Sequence, residues 1–237
     1  MNLILLDPPQ AVAGNRYRLC PRQAHHVDTV LAARPGDTLR CGLLNGQRGS
    51  GVLHHVGEHR ELDVCLDEPP PPALPLTLVL ALPRPKMLKR MLIDAASLGI
   101  KKIVLLNSWK VDKSYWQTPE LKAGLLAEKL RLGLEQAGDT VMPTLILAKR
   151  FRPFVEDDLK AITGNSQCVL ADPSGETYMP CDLDTPVTLA VGPEGGWTTY
   201  ERDMLLAQGF TCYRLGERIL RSETALPALT GRLMRLP

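Results

Sequence analysis

The sequence predicts a small β-rich domain followed by an α/β domain with a mostly parallel sheet. One observation is the proline-rich stretch DEPPPPALP, which neither a helix nor a central strand accommodates. Before it, two short alternating runs flank Asn45-Gly46, and after it short apolar runs alternate with helical patterns. We therefore predict a β domain at 1–68, a proline-rich linker at 69–75 and an α/β domain at 76–237.

The β domain carries turn signals typical of a small barrel. Asn45-Gly46 is a strong hairpin signal, because both residue types tolerate a positive φ. RPGD at 34–37 is a second turn. Short strands separated by such turns predict a β-barrel-like domain.

The α/β domain is predicted from its strands and helices in turn. Apolar residues recur at helical spacing over 87–98, and Gly99 ends that run. A second helix is predicted to begin at Thr118-Pro119-Glu120 and to close at Gly138. The candidate strands are 76–82, 103–107, 144–147, 168–172, 187–191 and 211–215.

Composition bounds the function only loosely. A formal net charge of +2 requires a nucleic-acid binder to concentrate its basic residues locally. The six cysteines form no C-x-x-C pair, and the scattered histidines lack a metal-binding motif, so we expect no metal site. The chain has no secretory signal and no apolar stretch of roughly 18 residues, which leads us to expect a cytoplasmic protein with reduced thiols.

VGPEGGWTTYE, at 191–201, is a strand end, a glycine run and a helix start. Thr198 and Glu201 have capping-box spacing, and Gly209 ends the predicted helix. Loops at the carboxyl ends of parallel strands bind ligands in α/β folds, and glycines allow the backbone to approach a ligand closely. The motifs for dinucleotides, triphosphates and a nucleophile elbow are absent, and a tight structural turn remains the alternative.

A second glycine follows the last predicted strand, in YRLGERILRSETALP. Gly216 stands at the strand end, and two arginines flank an apolar pair after it. Ser222 or Thr224 can cap a final helix, and Pro227 favours the later start because proline is tolerated only in a first turn. Two glycine loops at adjacent strand ends predict a ligand pocket.

VGPEGGW together with LGERILRSETA resembles the C-terminal signature of the RsmE family. RPKMLKRMLIDAASLGIKKIVLL likewise resembles the basic helix and following strand of that family. These are SPOUT-superfamily enzymes that use S-adenosylmethionine to methylate N3 of a uridine in 16S rRNA. The resemblance implies a PUA-like RNA-binding barrel, a SPOUT domain with a C-terminal trefoil knot, a homodimer, and rRNA or the small ribosomal subunit as partner.

The resemblance also implies the residues that bind the methyl donor. In this family the backbone of three loops holds S-adenosylmethionine, and here these loops lie around 171–173, 191–196 and 215–220. The implied cofactor-binding residues are Ala171, Asp172, Pro173, Val191, Gly192, Pro193, Glu194, Gly195, Gly196, Leu215, Gly216, Arg218, Ile219 and Leu220.

Methylation at uracil N3 requires loss of the N3 proton, and negative charge develops on the ring. Arg221 is the candidate cation for that charge, and Glu223 and Glu194 are candidate proton acceptors. The alternatives are that Glu194 binds backbone amides in its own loop and that Glu223 only favours a helix N-terminus.

Basic residues in two segments are candidates for RNA contacts. The first turns of a predicted helix contain Arg84, Lys86, Lys89 and Arg90. Cations at this end of a helix oppose its dipole. The four residues therefore either bind RNA phosphates or form a solvated basic face. NSWKVDKSYW interleaves aromatic side chains with Lys110 and Lys113, which suits unpaired bases. Its aromatic residues equally suit a core or a dimer contact.

Two positions depart from the family pattern. Ala32 and Asp139 stand where the family commonly has arginine, whereas SETA in place of TETA is conservative. The departures leave the donor site intact. They keep two further interpretations open: a SPOUT enzyme that acts on another RNA such as tRNA, and a non-catalytic RNA-binding relative.

Overall fold

The computed structural model describes residues 2–235, which form two compact units. The first unit contains the residues up to Pro72 together with Arg131–Met142. The second contains Ala73–Leu130 and the chain from Pro143 onward. Within residues 2–235 we find no helix that combines the length and the apolar character needed to span a bilayer.

The first unit is built on a six-stranded sheet in the order β1-β4-β5-β6-β3-β2. Its strands are β1 Ile4–Leu6, β2 Ala11–Ala13, β3 Arg16–Arg18, β4 Thr38–Leu43, β5 Arg48–Val56 and β6 His59–Glu68. β1 pairs parallel to β4, and the other pairs are antiparallel. The sheet is curled into a half-barrel, and helix α1, Pro21–Thr29, contributes Val27 to its apolar core. The predicted hairpin is confirmed, since Asn45 has a φ of 59° between β4 and β5.

A segment from later in the chain completes the first unit. Helix α3, Ala123–Ala137, places Glu135 against Arg22, whose Nη1 donates to Oε2 at 2.9 Å. After the helix, the carbonyl of Thr140 accepts a hydrogen bond of 2.8 Å from the amide of Asn45. A segment that lies within the predicted 76–237 domain thus packs with the first unit.

The second unit is built on a seven-stranded sheet in the order β11-β13-β10-β12-β7-β8-β9. Its strands are β7 Leu74–Ala81, β8 Ile100–Leu106, β9 Thr144–Ala148, β10 Gln167–Ala171, β11 Thr177–Tyr178, β12 Val187–Val191 and β13 Thr211–Arg214. All strand pairs recorded among residues 2–235 in this sheet are parallel, which confirms the predicted parallel sheet. β7 and β12 are apolar and nearly continuously buried, as central parallel strands are.

Helices cover this sheet. They are α2 Pro85–Ser97, the first part of α3, α4 Phe151–Pro153, α5 Leu159–Thr163, α6 Thr199–Ala207 and α7 Ser222–Leu233. A single π-helical stretch, Phe154–Asp158, joins α4 to α5. The predicted capping box is confirmed at α6, where the Thr198 hydroxyl accepts from the Glu201 amide at 3.2 Å.

Two helix starts differ from the sequence prediction. Thr118 caps only a short 3-10 turn, Pro119–Leu121, and α3 begins at Ala123. The last helix begins at Ser222 with Arg221 as its N-cap, so Pro227 lies inside it. Its apolar face is buried. The stabilisation from this packing outweighs the preference of proline for the first turn of a helix.

Strand ends also shift. β8 begins at Ile100, three residues before the predicted start, because Lys101 and Lys102 stay in the strand with half-buried side chains. β7 begins at Leu74, inside the predicted linker, and β10 and β13 each end one residue early. β12 occupies the predicted range.

Candidate active site

A cavity of about 270 Å³ opens at the carboxyl ends of β10, β12 and β13. Because these parallel strands are close neighbours in the sheet, the loops that follow them meet at one edge. All fourteen residues that the family resemblance implied for the methyl donor line this cavity. The structure therefore brings together the three predicted loops. The binding role of these residues stays a prediction.

Four further residues line the cavity that the sequence did not predict: Trp197, Ser222, Ala225 and Leu229. Trp197 directly follows the glycine run. Ser222, Ala225 and Leu229 lie three and four residues apart, so they share one face of α7. This helical spacing is visible in the sequence and could have indicated a shared face. The capping pattern, however, assigns Ser222 only to a helix cap.

The glycine loop after β12 is a tight turn and a cavity wall at once. The amide of Gly196 donates to the carbonyl of Pro193 at 2.8 Å, and Gly196 has a φ of 71°, which favours glycine. A Cβ on Gly192 would stand 3.0 Å from Nε1 of Trp197. The structural turn and the ligand site are therefore not exclusive alternatives.

Two hydrogen bonds from elsewhere in the second unit hold this loop, one from a side chain and one from a backbone amide. Lys110 donates from Nζ to the carbonyl of Gly195 at 2.8 Å. Glu194 accepts a hydrogen bond of 3.2 Å from the amide of Arg84, the N-cap of α2. Glu194 thus binds a backbone amide outside its own loop, and Lys110, predicted to bind RNA, contacts the cavity wall.

A buried carboxylate fastens the helix that follows the loop. Glu201 is 2% exposed, and its Oε2 accepts from the amide and hydroxyl of Thr198 at 2.9 and 2.8 Å. Its Oε1 accepts from the amide of Trp109 at 2.7 Å. The charge is therefore compensated by three hydrogen bonds, and it joins the start of α6 to the loop after β8.

The carboxylate of Asp172, in the first loop, makes its hydrogen bonds within its own turn. Its Oδ1 accepts from the amide and the hydroxyl of Ser174, at 2.8 and 2.6 Å. Arg202 donates in turn to the Ser174 hydroxyl at 2.6 Å. Asp172 therefore shapes the backbone of the cavity wall.

The third loop carries the candidate cations. Arg218 lines the cavity, whereas Arg221 is exposed at the N-cap of α7 and lies outside the lining. Glu223 is half-buried in the first turn of α7, and Glu194 is the one of the three catalytic candidates that lines the cavity. Beside this loop, the hydrogen bond to Glu217 raises the pKa of Tyr178, whose ring faces the Arg214 guanidinium at 4.4 Å.

The candidate RNA-binding residues of α2 differ in environment. Arg84, Lys86 and Arg90 are exposed, while Lys89 is half-buried and pairs with Glu120 at 2.8 Å. Lys113 is exposed in a 3-10 turn, Lys113–Gln117. The three exposed basic residues at the start of α2 are therefore available to bind RNA phosphates.

The cavity fits the methyl donor implied by the sequence. Nε1 of Trp197 and Oγ of Ser222 are buried polar atoms with no hydrogen-bond partner among residues 2–235, and both residues line the cavity. A Cβ on Gly216 would meet no atom within 4 Å. A mainly apolar wall with a few convergent polar groups is typical of a site for a flat organic ligand.

Comparison with known proteins identifies the family. A model described as RNA methyltransferase domain matches residues 70–234. Ribosomal RNA small subunit methyltransferase E of Treponema pallidum is 31% identical, over 95% of this chain and 87% of that protein. The chain belongs to the RsmE family of RNA methyltransferases. This confirms the resemblance drawn from the two C-terminal motifs.

Other similar proteins have lower sequence identity to this chain. The Synechocystis relative of the same name is 28% identical, over 93% of this chain and 73% of its own. A Legionella pneumophila methyltransferase solved with S-adenosylmethionine has a TM-score of 0.73 at 22% identity, covering 97% of this chain and 94% of that one. The Neisseria gonorrhoeae small subunit methyltransferase E, also bound to S-adenosylmethionine, has a TM-score of 0.72 at 21% identity, covering 96% and 95%. These likenesses confirm the predicted fold class of an α/β domain preceded by a β domain.

Proposed function

We propose that the protein transfers a methyl group from S-adenosylmethionine to N3 of a uridine in 16S ribosomal RNA. Membership of the RsmE family and the shared name of its curated relatives support this reaction. The observation that carries it is the single cavity formed by the three loops after β10, β12 and β13.

The backbone of the glycine loop and the wall of α7 would hold the methyl donor. S-adenosylmethionine supplies an electrophilic methyl group on a sulfonium. Nε1 of Trp197 can donate a hydrogen bond, and the Ser222 hydroxyl can donate or accept one, so both suit polar edges of this ligand. Asp172 binds Ser174 through its carboxylate, and its backbone amide and carbonyl bond to Tyr213 and Gly175, so it would shape the wall beside the ligand.

Removal of the uracil N3 proton is the task of the chain's own carboxylates. Glu194 lines the cavity and accepts from the Arg84 amide through Oε1, which leaves its other oxygen for the substrate. Glu223 lies in the first turn of α7, next to Ser222, which lines the cavity. Arg221, exposed beside it, would stabilise negative charge on the uracil oxygens as the proton leaves.

The finer features implied by the family belong to the same proposal. They are a trefoil knot in the second unit, a homodimer with the donor site near its interface, and RNA binding by residues 1–68. Ile219 and Leu220 support the dimer, because they are exposed apolar side chains at the rim of the cavity. A cytoplasmic location also belongs to the proposal, because an enzyme that methylates ribosomal RNA works where ribosomes are assembled.

Asp139 bears on the alternative of another RNA target. It is 2% exposed, and its Oδ1 accepts from the amide of Val141 at 2.9 Å. In this chain the position therefore shapes the turn after α3 and does not face RNA. Ala32 is exposed with a φ of 49°, so it also marks a turn.

The proposal is tested by binding and then by transfer. Calorimetry with S-adenosylmethionine should give saturable micromolar binding for the wild type and none for Gly195→Val, because the added side chain meets Lys110. Gly231→Ala is the matched control, since a Cβ there meets no atom within 4 Å and it lies outside the cavity lining. Labelled methyl groups should then appear as N3-methyluridine in small-subunit RNA.

Each other result has a distinct meaning. Methylation of tRNA and not of small-subunit RNA would show that the protein is a methyltransferase with a different RNA substrate. Absence of S-adenosylmethionine binding by folded wild-type protein would overturn the enzyme and leave a non-catalytic RNA-binding relative.

A further inference from the structure

A second depression adjoins the glycine loop on the second unit, and none of the site residues above explains it. Its walls include Trp109, Phe151 and Tyr200. The ring of Phe151 packs against that of Trp197, with 6.3 Å between their centroids, and Trp197 lines the donor cavity. We name this depression the Trp109–Tyr200 cleft.

The walls of the cleft are large aromatic faces open to solvent. The Trp109 side chain is 86% exposed and that of Tyr200 is 57% exposed. Exposed aromatic side chains that share one depression suit a planar aromatic partner, because such a partner can stack on them.

The cleft also contains a polar group without a partner. Ser108 is 4% exposed, lines the cleft, and its Oγ has no hydrogen-bond partner among residues 2–235. A buried hydroxyl without a partner is costly, so a ligand with a polar edge would gain from meeting it. A nucleobase combines such an edge with two aromatic faces.

The backbone that carries two of the aromatic walls is held in place before any ligand binds. The buried carboxylate of Glu201 accepts from the amide of Trp109 at 2.7 Å and from Thr198 at the start of α6. Tyr200 belongs to the first turn of α6. The backbone that carries both walls is therefore tied to one carboxylate, which lowers the cost of ordering that backbone on binding.

The rim of the cleft is basic. Arg152 lines it, and the exposed Lys149 and Arg150 directly precede α4. Arg152 pairs with Glu156 at 2.8 Å, and Glu201, an acidic residue of the lining, is 2% exposed. The excess of positive charge suits a phosphate backbone and opposes a second copy of the same basic rim in a symmetric dimer.

We propose that the Trp109–Tyr200 cleft binds one unpaired base of the RNA substrate, next to the nucleotide that is methylated. This rests on the proposed function. The target uracil must reach the donor cavity, and the Phe151–Trp197 ring pair lies between that cavity and the cleft. The base in the cleft is therefore a neighbour of the target: it stacks on Trp109 and Tyr200, and its edge meets Ser108.

The test uses labelled single-stranded hexauridylate and fluorescence anisotropy. Trp109→Ala should weaken binding about tenfold, because stacking of one base on one aromatic side chain is lost. Trp109→Phe should stay within about twofold of wild type, since it keeps an aromatic face. Tyr178→Ala, at another exposed aromatic residue of the second unit, is the matched control and should leave affinity unchanged.

A hexamer with abasic sites separates stacking from charge. It should bind the wild type about as weakly as hexauridylate binds Trp109→Ala, and the slope of affinity against salt should be the same for both proteins. Equal hexauridylate affinity of wild type and Trp109→Ala would overturn the inference. Failure of the wild type to bind hexauridylate would overturn it too.

Two further measurements identify which proposal fails. If Trp109→Ala alters the sedimentation of the protein and not its RNA affinity, the cleft is a contact between copies and the base site is refuted. If the wild type binds S-adenosylmethionine and methylates RNA while Trp109→Ala has an unchanged KM for RNA, the proposed reaction is supported and the base site in the cleft is refuted. Trp109-dependent binding of hexauridylate without any methylation would keep the base site and refute the proposed reaction.

Discussion

The ammonium group of Lys110 lies 2.8 Å from the carbonyl oxygen of Gly195, although 85 residues separate them in the chain. Cδ of the same side chain lies 3.0 Å from the point where a Cβ on residue 195 would stand. Lys110 therefore rests on the glycine loop along its length. A lysine that the sequence pattern assigns to RNA supports the wall of the cavity that we propose for the methyl donor.

Lys110→Met should weaken S-adenosylmethionine binding about fivefold, because one hydrogen bond from a charged donor to the loop is lost. Calorimetry measures this affinity. RNA affinity and its salt dependence should stay unchanged. Lys113→Met is the matched control, since Lys113 is exposed in the same segment and lies outside the cavity lining. If Lys110→Met instead reduces the slope of RNA affinity against salt and leaves S-adenosylmethionine affinity unchanged, Lys110 binds RNA and does not support the cavity wall.

Gly192→Ala should destabilise the second unit by about 1–3 kcal/mol and abolish donor binding. The added Cβ would lie 3.0 Å from Nε1 and 3.2 Å from Cδ1 and Cε2 of Trp197, whose ring is buried and packed on Phe151. Urea unfolding measures the change. Gly216→Ala should keep wild-type stability, because a Cβ there meets no atom within 4 Å. Equal stability of the two variants would contradict the packing argument.

Glu201→Ala should lower the free energy of unfolding by about 3 kcal/mol, since three hydrogen bonds from Trp109 and Thr198 to this buried carboxylate are lost. Asp203→Ala, exposed on the same helix, should change it by less than about 0.5 kcal/mol. Chemical denaturation of both variants checks this. A Glu201→Ala protein as stable as Asp203→Ala would show that the carboxylate does not join α6 to the loop after β8.

The sequence predicted the three loops that line the cavity because their determinants are local. Glycines at two strand ends and a family motif are readable without knowing what the loops contact. The β12 strand and the capping box of Thr198 and Glu201 are local in the same sense, and both are confirmed. Only the strand order, set by long-range pairing, decides that three loops meet at one edge.

The features missed depend on distant contacts. The bonds from Lys110 to Gly195 and from Arg84 to Glu194 span 85 and 110 residues, and no spacing rule predicts them. Pro227 favoured a later start for the last helix, but burial of its apolar face extends it back to Ser222. That extension also carries Ser222 into the cavity wall, where capping rules alone do not place it.

Cys41 should make the first unit less stable at alkaline pH. Burial, and to a smaller extent the neighbouring Cys65, raises the pKa of the Cys41 thiol from 9.0 to about 12. Between these values the unfolded chain loses a proton that the folded chain keeps. The free energy of unfolding therefore falls as pH rises from 9 toward 12, by at most about 1.4 kcal/mol per pH unit for this group.

Urea unfolding at several alkaline pH values measures this effect. The wild type should lose stability more steeply than Cys41→Ala, which lacks the buried thiol. Cys65→Ala should follow the wild type closely, because Cys65 is exposed. Parallel curves for wild type and Cys41→Ala would refute the assignment.

The basic residues of α2 should contribute unequally to RNA binding. Lys86→Ala and Arg90→Ala should each weaken binding of small-subunit RNA and reduce the slope of affinity against salt by about 1, because each exposed cation releases counterions from a phosphate. Lys89→Ala should change the slope less, since Lys89 already pairs with Glu120 at 2.8 Å. Filter binding over a range of salt concentrations, with Lys101→Ala as a control on the neighbouring strand, measures the slopes. Equal slopes for all four variants would show that this helix face is only solvated, and the RNA surface would have to be sought elsewhere on the protein.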